Sequence, residues 1–170
     1  DQASKGQPLG LDAYPYTAGS TVLSAHGNLQ SERVLITWSE PFPEAAGKEL
    51  SEIADELGMS EQEAVIALSP GGGIFFMMDE EDVRRILAFP NTMIGSDGLP
   101  SDAHPHPRLW GTFPRVLGHY VREVKLFSLE EAVRKMTSLP AACFGLKDRG
   151  ILKAGNYADL VIFDPDTITD

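Results

Sequence analysis

The order of apolar patterns along this chain of 170 residues constrains its fold more than any other feature. Residues 11–16, 34–38 and 92–95 carry the β-branched, aromatic and apolar side chains that favour strands. Helical patterns separate and follow them, and a last strand is predicted at 159–163. Strands that alternate with helices predict an α/β protein. The chain is too short for a complete (β/α)8 barrel, which needs roughly 250 residues.

Apolar residues at helical spacing predict four of the helices. Their apolar sides are formed by Leu50, Ile53, Ala54 and Leu57, by Val83, Ile86 and Leu87, by Val116, Leu117, Tyr120, Val121 and Val124, and by Leu129, Ala132, Val133 and Met136. Ser60 with Glu63 and Ser128 with Glu131 are capping-box pairs, each of which begins a helix.

Glycine-containing stretches are predicted as connections between these elements. Gly58 is expected to end the first helix, because glycine readily adopts the left-handed conformation of a helix C-terminus. Residues 17–20 are predicted as a loop or turn, and residues 69–73, Ser-Pro-Gly-Gly-Gly, as a flexible break.

Charge is distributed unevenly along the chain. Residues 40–90 hold twelve acidic and three basic residues, a net charge of −9, whereas residues 104–150 hold eight basic and four acidic residues, a net charge of +4. This asymmetry marks the acidic segment as having a separate role. The overall charge of −11 argues against nucleic acid or an anionic membrane surface as a partner.

Composition excludes further classes of protein. No apolar run approaches the roughly 20 residues that a membrane-spanning helix needs. The single cysteine, Cys143, excludes a disulfide framework and a cysteine-rich zinc module, and its apolar surroundings predict a buried position. One thiol and the lack of a signal-peptide pattern favour the cytoplasm.

Asp97 is the strongest candidate for a catalytic residue. It follows the predicted strand 92–95, and the carboxyl ends of parallel strands are where α/β and barrel enzymes place catalytic side chains. A carboxylate there can accept a proton from a water molecule or bind a metal ion. The alternative is an aspartate that only caps the turn between Ser96 and Gly98.

Arg108 and two histidines lie in the proline-rich loop that follows. A guanidinium group at Arg108 can hold a carboxylate through two parallel hydrogen bonds, and the alternative is an arginine paired with some acidic side chain. His104 and His106 imitate a His-x-His metal motif. Because they come after the candidate aspartate and not at the end of a strand, we predict that they position the loop.

Several strings of residues together resemble one family. They are residues 14–21, 94–100 (Ile-Gly-Ser-Asp-Gly-Leu-Pro), 106–118, 131–137 and 158–165. These strings resemble the C-terminal part of the N-acyl-D-amino-acid deacylases, or D-aminoacylases, in the metal-dependent amidohydrolase superfamily. The resemblance covers nearly the whole chain, and its central string is the most specific.

The resemblance implies part of a zinc-dependent (β/α)8 barrel together with a small β-sandwich. Residues 1–30 would then hold the seventh barrel strand, and residues 91–139 the eighth strand with the helices after it. Residues 31–90 would form a helical insertion, or lid, over the active site, in agreement with their separate charge. Residues 140–170 would return to the β-sandwich.

The resemblance also implies the chemistry. Asp97 would be the general base that also contacts the metal ion, and Arg108, Tyr14 and Ser20 would hold the carboxylate of an N-acyl-D-amino acid. Zinc would lower the pKa of its bound water to ~7 and polarise the amide carbonyl.

The remaining zinc ligands of the family have no counterpart in this chain, and His104 and His106 do not match them. We therefore expect the isolated chain to be inactive. Two barrel strands leave open edges, so we also expect it to be ordered through association with a missing N-terminal half or with copies of itself. Two alternatives stay open, namely another amidohydrolase that acts on cyclic amides or dipeptides, and a non-catalytic binding or assembly module.

Overall fold

The structure is a computed structural model that describes Gly6 and residues 9–23, 31–100 and 102–170. Its strands are β1 (Leu11–Ala13), β2 (Ala18–Val22), β3 (Arg33–Ser39), β4 (Gly71–Phe76) and β5 (Thr92–Ile94). Its α-helices are α1 (Leu50–Leu57), α2 (Glu61–Ala67), α3 (Glu80–Ala88), α4 (Thr112–Arg115), α5 (Leu129–Met136) and α6 (Ser138–Cys143). A π-helix, Val116–Glu123, continues α4, and Pro43–Ala45 and Pro107–Leu109 are 3-10 helices.

The chain folds into two compact units. The first unit comprises Asp1–Pro15, Glu81–Ser96 and Trp110–Asp170, and the second comprises Tyr16–Glu80 and Asp97–Leu109. Each unit has its own hydrophobic core. No helix in the described ranges is both long and apolar enough to cross a membrane.

The first unit is built on a parallel pair of strands. Leu11, Asp12 and Ala13 of β1 lie opposite Thr92, Met93 and Ile94 of β5. Helices α3 and α5 and the π-helix bury their apolar sides with this pair, and the core consists of Val83, Leu87, Ile94, Val116, Leu117, Tyr120 and Ala132. The parallel pairing and the helices confirm the predicted α/β class.

The burial of several side chains in the first unit differs from the predictions. Ile86 on α3 and Val133 on α5 are exposed although both belong to predicted apolar sides, and Cys143 is exposed instead of buried. Lys135, in contrast, is fully buried on α5, where its Nζ donates hydrogen bonds to the carbonyl oxygens of Phe89 (2.6 Å) and Thr92 (3.1 Å). A buried ammonium group replaces its lost water with these two acceptors, which pattern analysis of a helix face does not anticipate.

No strand is present at residues 159–163, where one was predicted. The segment is extended, but Val161 is 86% and Ile162 98% exposed. A strand requires a hydrogen-bonding neighbour, and no such neighbour for it lies within the part of the chain that is described. Phe163 alone of this run packs against the core of the first unit.

The second unit contains a three-stranded antiparallel sheet in the order β2-β4-β3. The predicted turn at residues 17–20 is wrong, because most of it belongs to β2. The predicted flexible break at 69–73 is also wrong, because Gly71 begins the central strand β4. A side chain at Gly72 would lie 2.4 Å from Nε1 of Trp38 and 2.8 Å from Oγ1 of Thr37, so close approach of β3 requires glycine there.

Helices α1 and α2 pack on this sheet, and α1 ends and α2 begins as predicted. Gly58 has φ of 65° and ends α1 in the left-handed conformation. The backbone N–H of Glu63 donates to Oγ of Ser60 (3.3 Å), and the N–H of Ser60 donates to the Glu63 carboxylate (2.9 Å). This capping box is confirmed. At the start of α5, the backbone N–H of Glu131 donates to Oγ of Ser128, so one of the two hydrogen bonds of the predicted capping box is present. The Glu131 carboxylate accepts hydrogen bonds from Arg134 and does not complete the box.

Candidate functional site

Asp97 lies in the loop that follows β5, and its two carboxylate oxygens have different partners. Oδ1 accepts a hydrogen bond from the backbone N–H of Gly98 at 2.7 Å, which is the turn-capping role predicted as the alternative. Oδ2 lies 2.8 Å from Nη2 of Arg108. The side chain of Asp97 is 60% exposed, so a ligand or solvent can reach this carboxylate.

Arg108 lies on the 3-10 helix Pro107–Leu109, and its side chain is only 5% exposed. Besides its ion pair with Asp97, Nη2 donates to the backbone carbonyl of Ser20 at 2.9 Å. The acid predicted as an alternative partner for this arginine is thus the candidate base itself. In this ion pair the guanidinium group is buried and the carboxylate is the accessible partner.

His106 is hydrogen-bonded to the backbone of the same short helix. Its Nδ1 accepts a hydrogen bond from the backbone N–H of Arg108 at 3.0 Å, and its ring also bonds to the backbone of Ala18. The ring meets Tyr16 edge to face, with centroids 5.1 Å apart. Burial lowers the pKa of His106 to about 4, and the positive charge of Arg108 acts in the same direction. His106 is therefore neutral at neutral pH.

These contacts cover an edge of the sheet. β2 is an edge strand, and the carbonyl groups of Ala18 and Ser20, two residues apart, point to the same side of it. His106 bonds to the first residue and Arg108 to the second. The loop thereby satisfies backbone groups that a bare edge would leave to solvent, and β2 in turn fixes the loop.

The other two predicted site residues lie in different places. Ser20 is buried, and its hydroxyl oxygen has no hydrogen-bond partner among the residues the structure describes. It contacts Arg108 through its carbonyl group and not through its hydroxyl group. Asp97, Arg108 and Ser20 thus share the second unit, whereas Tyr14 belongs to the first unit, where it is partly buried.

The described residues do not form a zinc site by themselves. Within those ranges, no group of three or more histidine, cysteine, aspartate or glutamate side chains is arranged to hold a metal ion. A structural or catalytic zinc ion takes at least three protein ligands, and Asp97 would supply one. Nδ1 of His106 already accepts the N–H of Arg108, and His104 lies against Gly47.

One buried acidic residue near this loop is not among the predicted site residues. Asp102 is buried, and burial raises the pKa of its carboxyl group, while the side chains of Thr37 and Trp38 partly offset this effect. It follows Ser101, which lies outside the described residues. Nothing in the local pattern distinguishes Asp102 from an ordinary loop aspartate, because its burial depends on the distant strand β3.

Comparison with known proteins places the chain in a family. The sequence profile described as amidohydrolase family matches residues 43–169. The chain belongs to the amidohydrolase family. This amidohydrolase chain is 60% identical over 170 residues to D-aminoacylase of Alcaligenes xylosoxydans xylosoxydans, which is 100% of the chain and 35% of that protein. It is 54% identical over 165 residues to N-acyl-D-glutamate deacylase of the same organism, covering 97% of the chain and 34% of the relative.

Solved structures agree with these relatives. The crystal structure of a D-aminoacylase matches 99% of the chain and 36% of its own length, with a TM-score of 0.94 and 60% identity. N-acyl-D-glutamate deacylase from Bordetella bronchiseptica, complexed with zinc and a phosphonate inhibitor, matches 99% of the chain and 35% of its own length, with a TM-score of 0.93 and 50% identity. The predicted resemblance is confirmed, and the chain spans about a third of the length of these relatives. The barrel of the superfamily is not closed by the strands described here.

Proposed function

We propose that this chain forms the carboxylate-binding and proton-transferring part of a zinc-dependent hydrolase that cleaves the amide bond of N-acyl-D-amino acids. The observation that carries this proposal is the ion pair between buried Arg108 and accessible Asp97, at 2.8 Å. The relatives named D-aminoacylase and N-acyl-D-glutamate deacylase support the substrate class.

Arg108 is assigned to the free carboxylate of the substrate. A buried guanidinium group forms strong, directional hydrogen bonds with a carboxylate, and the contact with Asp97 occupies one position where such an oxygen fits. Ser20 contacts Arg108 through its carbonyl oxygen, and the assignment of its hydroxyl group to the substrate carboxylate rests on the resemblance to the family. The assignment of Tyr14, which belongs to the first unit, rests on the resemblance to the family.

Asp97 is assigned as the general base. Amide hydrolysis needs a group that removes a proton from the attacking water as the carbon–oxygen bond forms. The same proton must then reach the amide nitrogen as the carbon–nitrogen bond breaks, so that the amine leaves neutral. An accessible carboxylate adjacent to the substrate-binding guanidinium group is placed to perform both transfers. Of the zinc ligands, this chain would contribute Asp97, and the other ligands would come from outside it.

The arrangement of the complete enzyme is part of the proposal. Residues 1–30 and 91–139 would hold barrel strands seven and eight, and the parallel pairing of β1 with β5 supports this. Residues 31–90 would form the insertion over the active site, and it contains β3 and β4 as well as helices. Residues 140–170 would join the β-sandwich. The exposed Val161 and Ile162 support association with the remainder of such an enzyme or with a second copy.

The test uses a chimeric deacylase, in which this chain replaces the matching segment of D-aminoacylase from Alcaligenes xylosoxydans xylosoxydans. We expect Arg108→Ala to lower kcat/KM for an N-acyl-D-amino acid roughly 30- to 1,000-fold, which corresponds to a loss of ~2–4 kcal/mol in transition-state stabilisation. For the corresponding carboxamide substrate, kcat/KM should change little in the same variant. Arg85→Ala is the matched control, because Arg85 is an exposed arginine that is also paired with an aspartate.

Other results would favour the alternatives. If Arg108→Ala leaves the preference for carboxylate substrates unchanged, an amidohydrolase that acts on neutral cyclic amides or dipeptides is favoured. If the chimera is folded and loaded with zinc but hydrolyses neither class, a non-catalytic binding or assembly module is favoured.

A further inference from the structure

His106 links the backbone of Arg108 to the edge of the sheet. One ring nitrogen accepts the Arg108 N–H at 3.0 Å, and the ring bonds on its other side to the backbone of Ala18. Because Nδ1 accepts, the proton of the neutral ring lies on Nε2, and the hydrogen bond with the backbone of Ala18 acts to raise the pKa of His106, as donation from a ring N–H to a carbonyl oxygen does. The tautomer thus follows from the two bonds.

We propose that His106 is a positioning residue that sets where the Arg108 guanidinium group meets the substrate carboxylate. The inference rests on the proposed function, in which Arg108 binds that carboxylate. It goes beyond that proposal, because His106 would then control substrate affinity without touching the substrate.

The first argument concerns the 3-10 helix itself. Its first residue, Pro107, has no N–H, so the N–H of Arg108 is the first donor that needs a partner. Oxygen-bearing side chains usually provide such a cap, but here the imidazole Nδ1 of His106 does so. The carbonyl group of His106 meanwhile accepts the N–H of Leu109 at 3.1 Å. His106 thus closes this turn from both its side chain and its backbone.

The second argument concerns spacing. His106 and Arg108 are two residues apart and contact Ala18 and Ser20, which are also two residues apart on β2. Two side chains therefore bind adjacent outward-facing carbonyl groups of one strand. Rotation of the short helix that carries Arg108 would have to break the His106 contact, so the base of the arginine side chain is fixed relative to Ser20.

The third argument concerns the ring. A protonated imidazole would direct an N–H at the N–H of Arg108, so the arrangement needs the neutral form. Burial provides for this by lowering the pKa of His106 to about 4. The edge-to-face contact with Tyr16 holds the ring plane in the orientation that both hydrogen bonds need.

The test compares two variants in the chimeric deacylase. In His106→Asn, the side-chain oxygen can occupy the place of Nδ1 and accept from Arg108. In His106→Gln, the longer side chain can reach Ala18 but leaves the Arg108 N–H without its acceptor. We expect His106→Gln to raise KM for an N-acyl-D-amino acid by roughly 10- to 100-fold. His106→Asn should stay within about threefold of the parent, and neither should change kcat/KM for the carboxamide.

A double-mutant cycle separates positioning from a general role in folding. If His106 acts through Arg108, His106→Gln has no further effect on carboxylate hydrolysis in the Arg108→Ala background. Additive losses, or equal losses for carboxylate and carboxamide, would overturn the inference. His119→Gln is the control, because His119 lies on the π-helix and pairs with Glu123 near the surface. If Arg108→Ala alone fails to affect carboxylate preference, the proposed function fails instead.

A measurement on the unmodified chimera covers the case in which His106→Gln does not fold. With ¹⁵N-labelled histidine at pH 7, His106 should give the ring shifts of a neutral imidazole protonated on Nε2. A ring protonated on Nδ1, or on both nitrogens, cannot accept from Arg108 and would equally overturn the inference.

Discussion

Nη2 of Arg108 lies 2.8 Å from Oδ2 of Asp97, and the arginine is buried whereas the aspartate is mostly exposed. The ion pair joins the two residues that the sequence separately predicts to bind a carboxylate, Arg108, and to transfer a proton, Asp97. The guanidinium group donates to the Ser20 carbonyl, and His106 accepts the backbone N–H of Arg108, so these contacts position the arginine in the pair. Changes to either residue therefore bear on the same site.

The geometry of the guanidinium group can be tested with Arg108→Lys. Lysine keeps the charge but has a single ammonium group, so it cannot contact the Ser20 carbonyl and a carboxylate with the same planar fork. We expect kcat/KM for an N-acyl-D-amino acid to fall roughly tenfold, between the parent and Arg108→Ala. Steady-state kinetics of the chimera check this, and full retention by Arg108→Lys would show that charge alone suffices.

Asp97→Asn removes the base while keeping the shape of the side chain and the cap on Gly98. We expect kcat to fall by roughly 10²–10⁴-fold, because an amide group cannot accept the proton of the attacking water. KM should change little. Asp55→Asn, on the exposed side of α1, serves as the control for the loss of one negative charge. Normal turnover in Asp97→Asn would leave Asp97 only its role in the turn.

Acid should destabilise the fold through His106. Its pKa is about 4 in the folded chain, against a usual value of 6.5, so below pH 6.5 the unfolded chain binds a proton that the folded chain excludes. The contribution is fully present above pH 6.5 and is lost as the pH falls towards 4. At pH 5 the loss is roughly 2 kcal/mol relative to pH 7.5.

This pH effect is measured as a difference between two proteins. The free energy of unfolding of the chimera and of its His106→Asn variant is determined in urea at pH 7.5 and pH 5. The variant has no titrating group at this position, so its free energy of unfolding should fall less between the two pH values. Equal falls in the two proteins would mean that His106 is not held neutral.

Lys135→Met should destabilise the first unit by roughly 1–3 kcal/mol, because it removes the ammonium donor to the carbonyl oxygens of Phe89 and Thr92, of which the Phe89 carbonyl still accepts the N–H of Thr92. Methionine fills similar space, so the loss reports the hydrogen bonds and not a cavity. Thermal or urea unfolding of the chimera measures it. Lys147→Met, at an exposed lysine, should have an effect within about 0.5 kcal/mol of zero.

The isolated chain should not hold stoichiometric zinc. Asp97 is a single ligand, and the described residues contain no cluster that completes a site around it. Metal analysis after exposure to zinc and extensive dialysis checks this. One tightly held zinc ion per chain, lost in Asp97→Asn, would contradict it.

The isolated chain is also expected to associate with copies of itself. Gel filtration of the same sample at low concentration tests this association, and a compact monomer that unfolds cooperatively would argue against it.

Local interactions account for what could be predicted from the sequence. The capping box of Ser60 and Glu63, the left-handed Gly58 and the apolar side of α1 involve residues within one or two helical turns of each other. The position of Asp97 after a buried strand is likewise a property of adjacent residues. Such features are readable because spacing along the chain equals spacing on the element.

Tertiary structure decided the rest, because it depends on residues far apart in the chain. Residues 71–73 appear as a flexible break until Trp38 is packed against Gly72, where the missing side chains allow a central strand. The buried ammonium group of Lys135 donates to carbonyl groups of residues that lie more than 40 positions away along the chain. His106 becomes a neutral acceptor only when the edge of β2 lies beside it. The residue types of the site are thus written in the sequence, whereas their charge states and contacts arise from burial among distant partners.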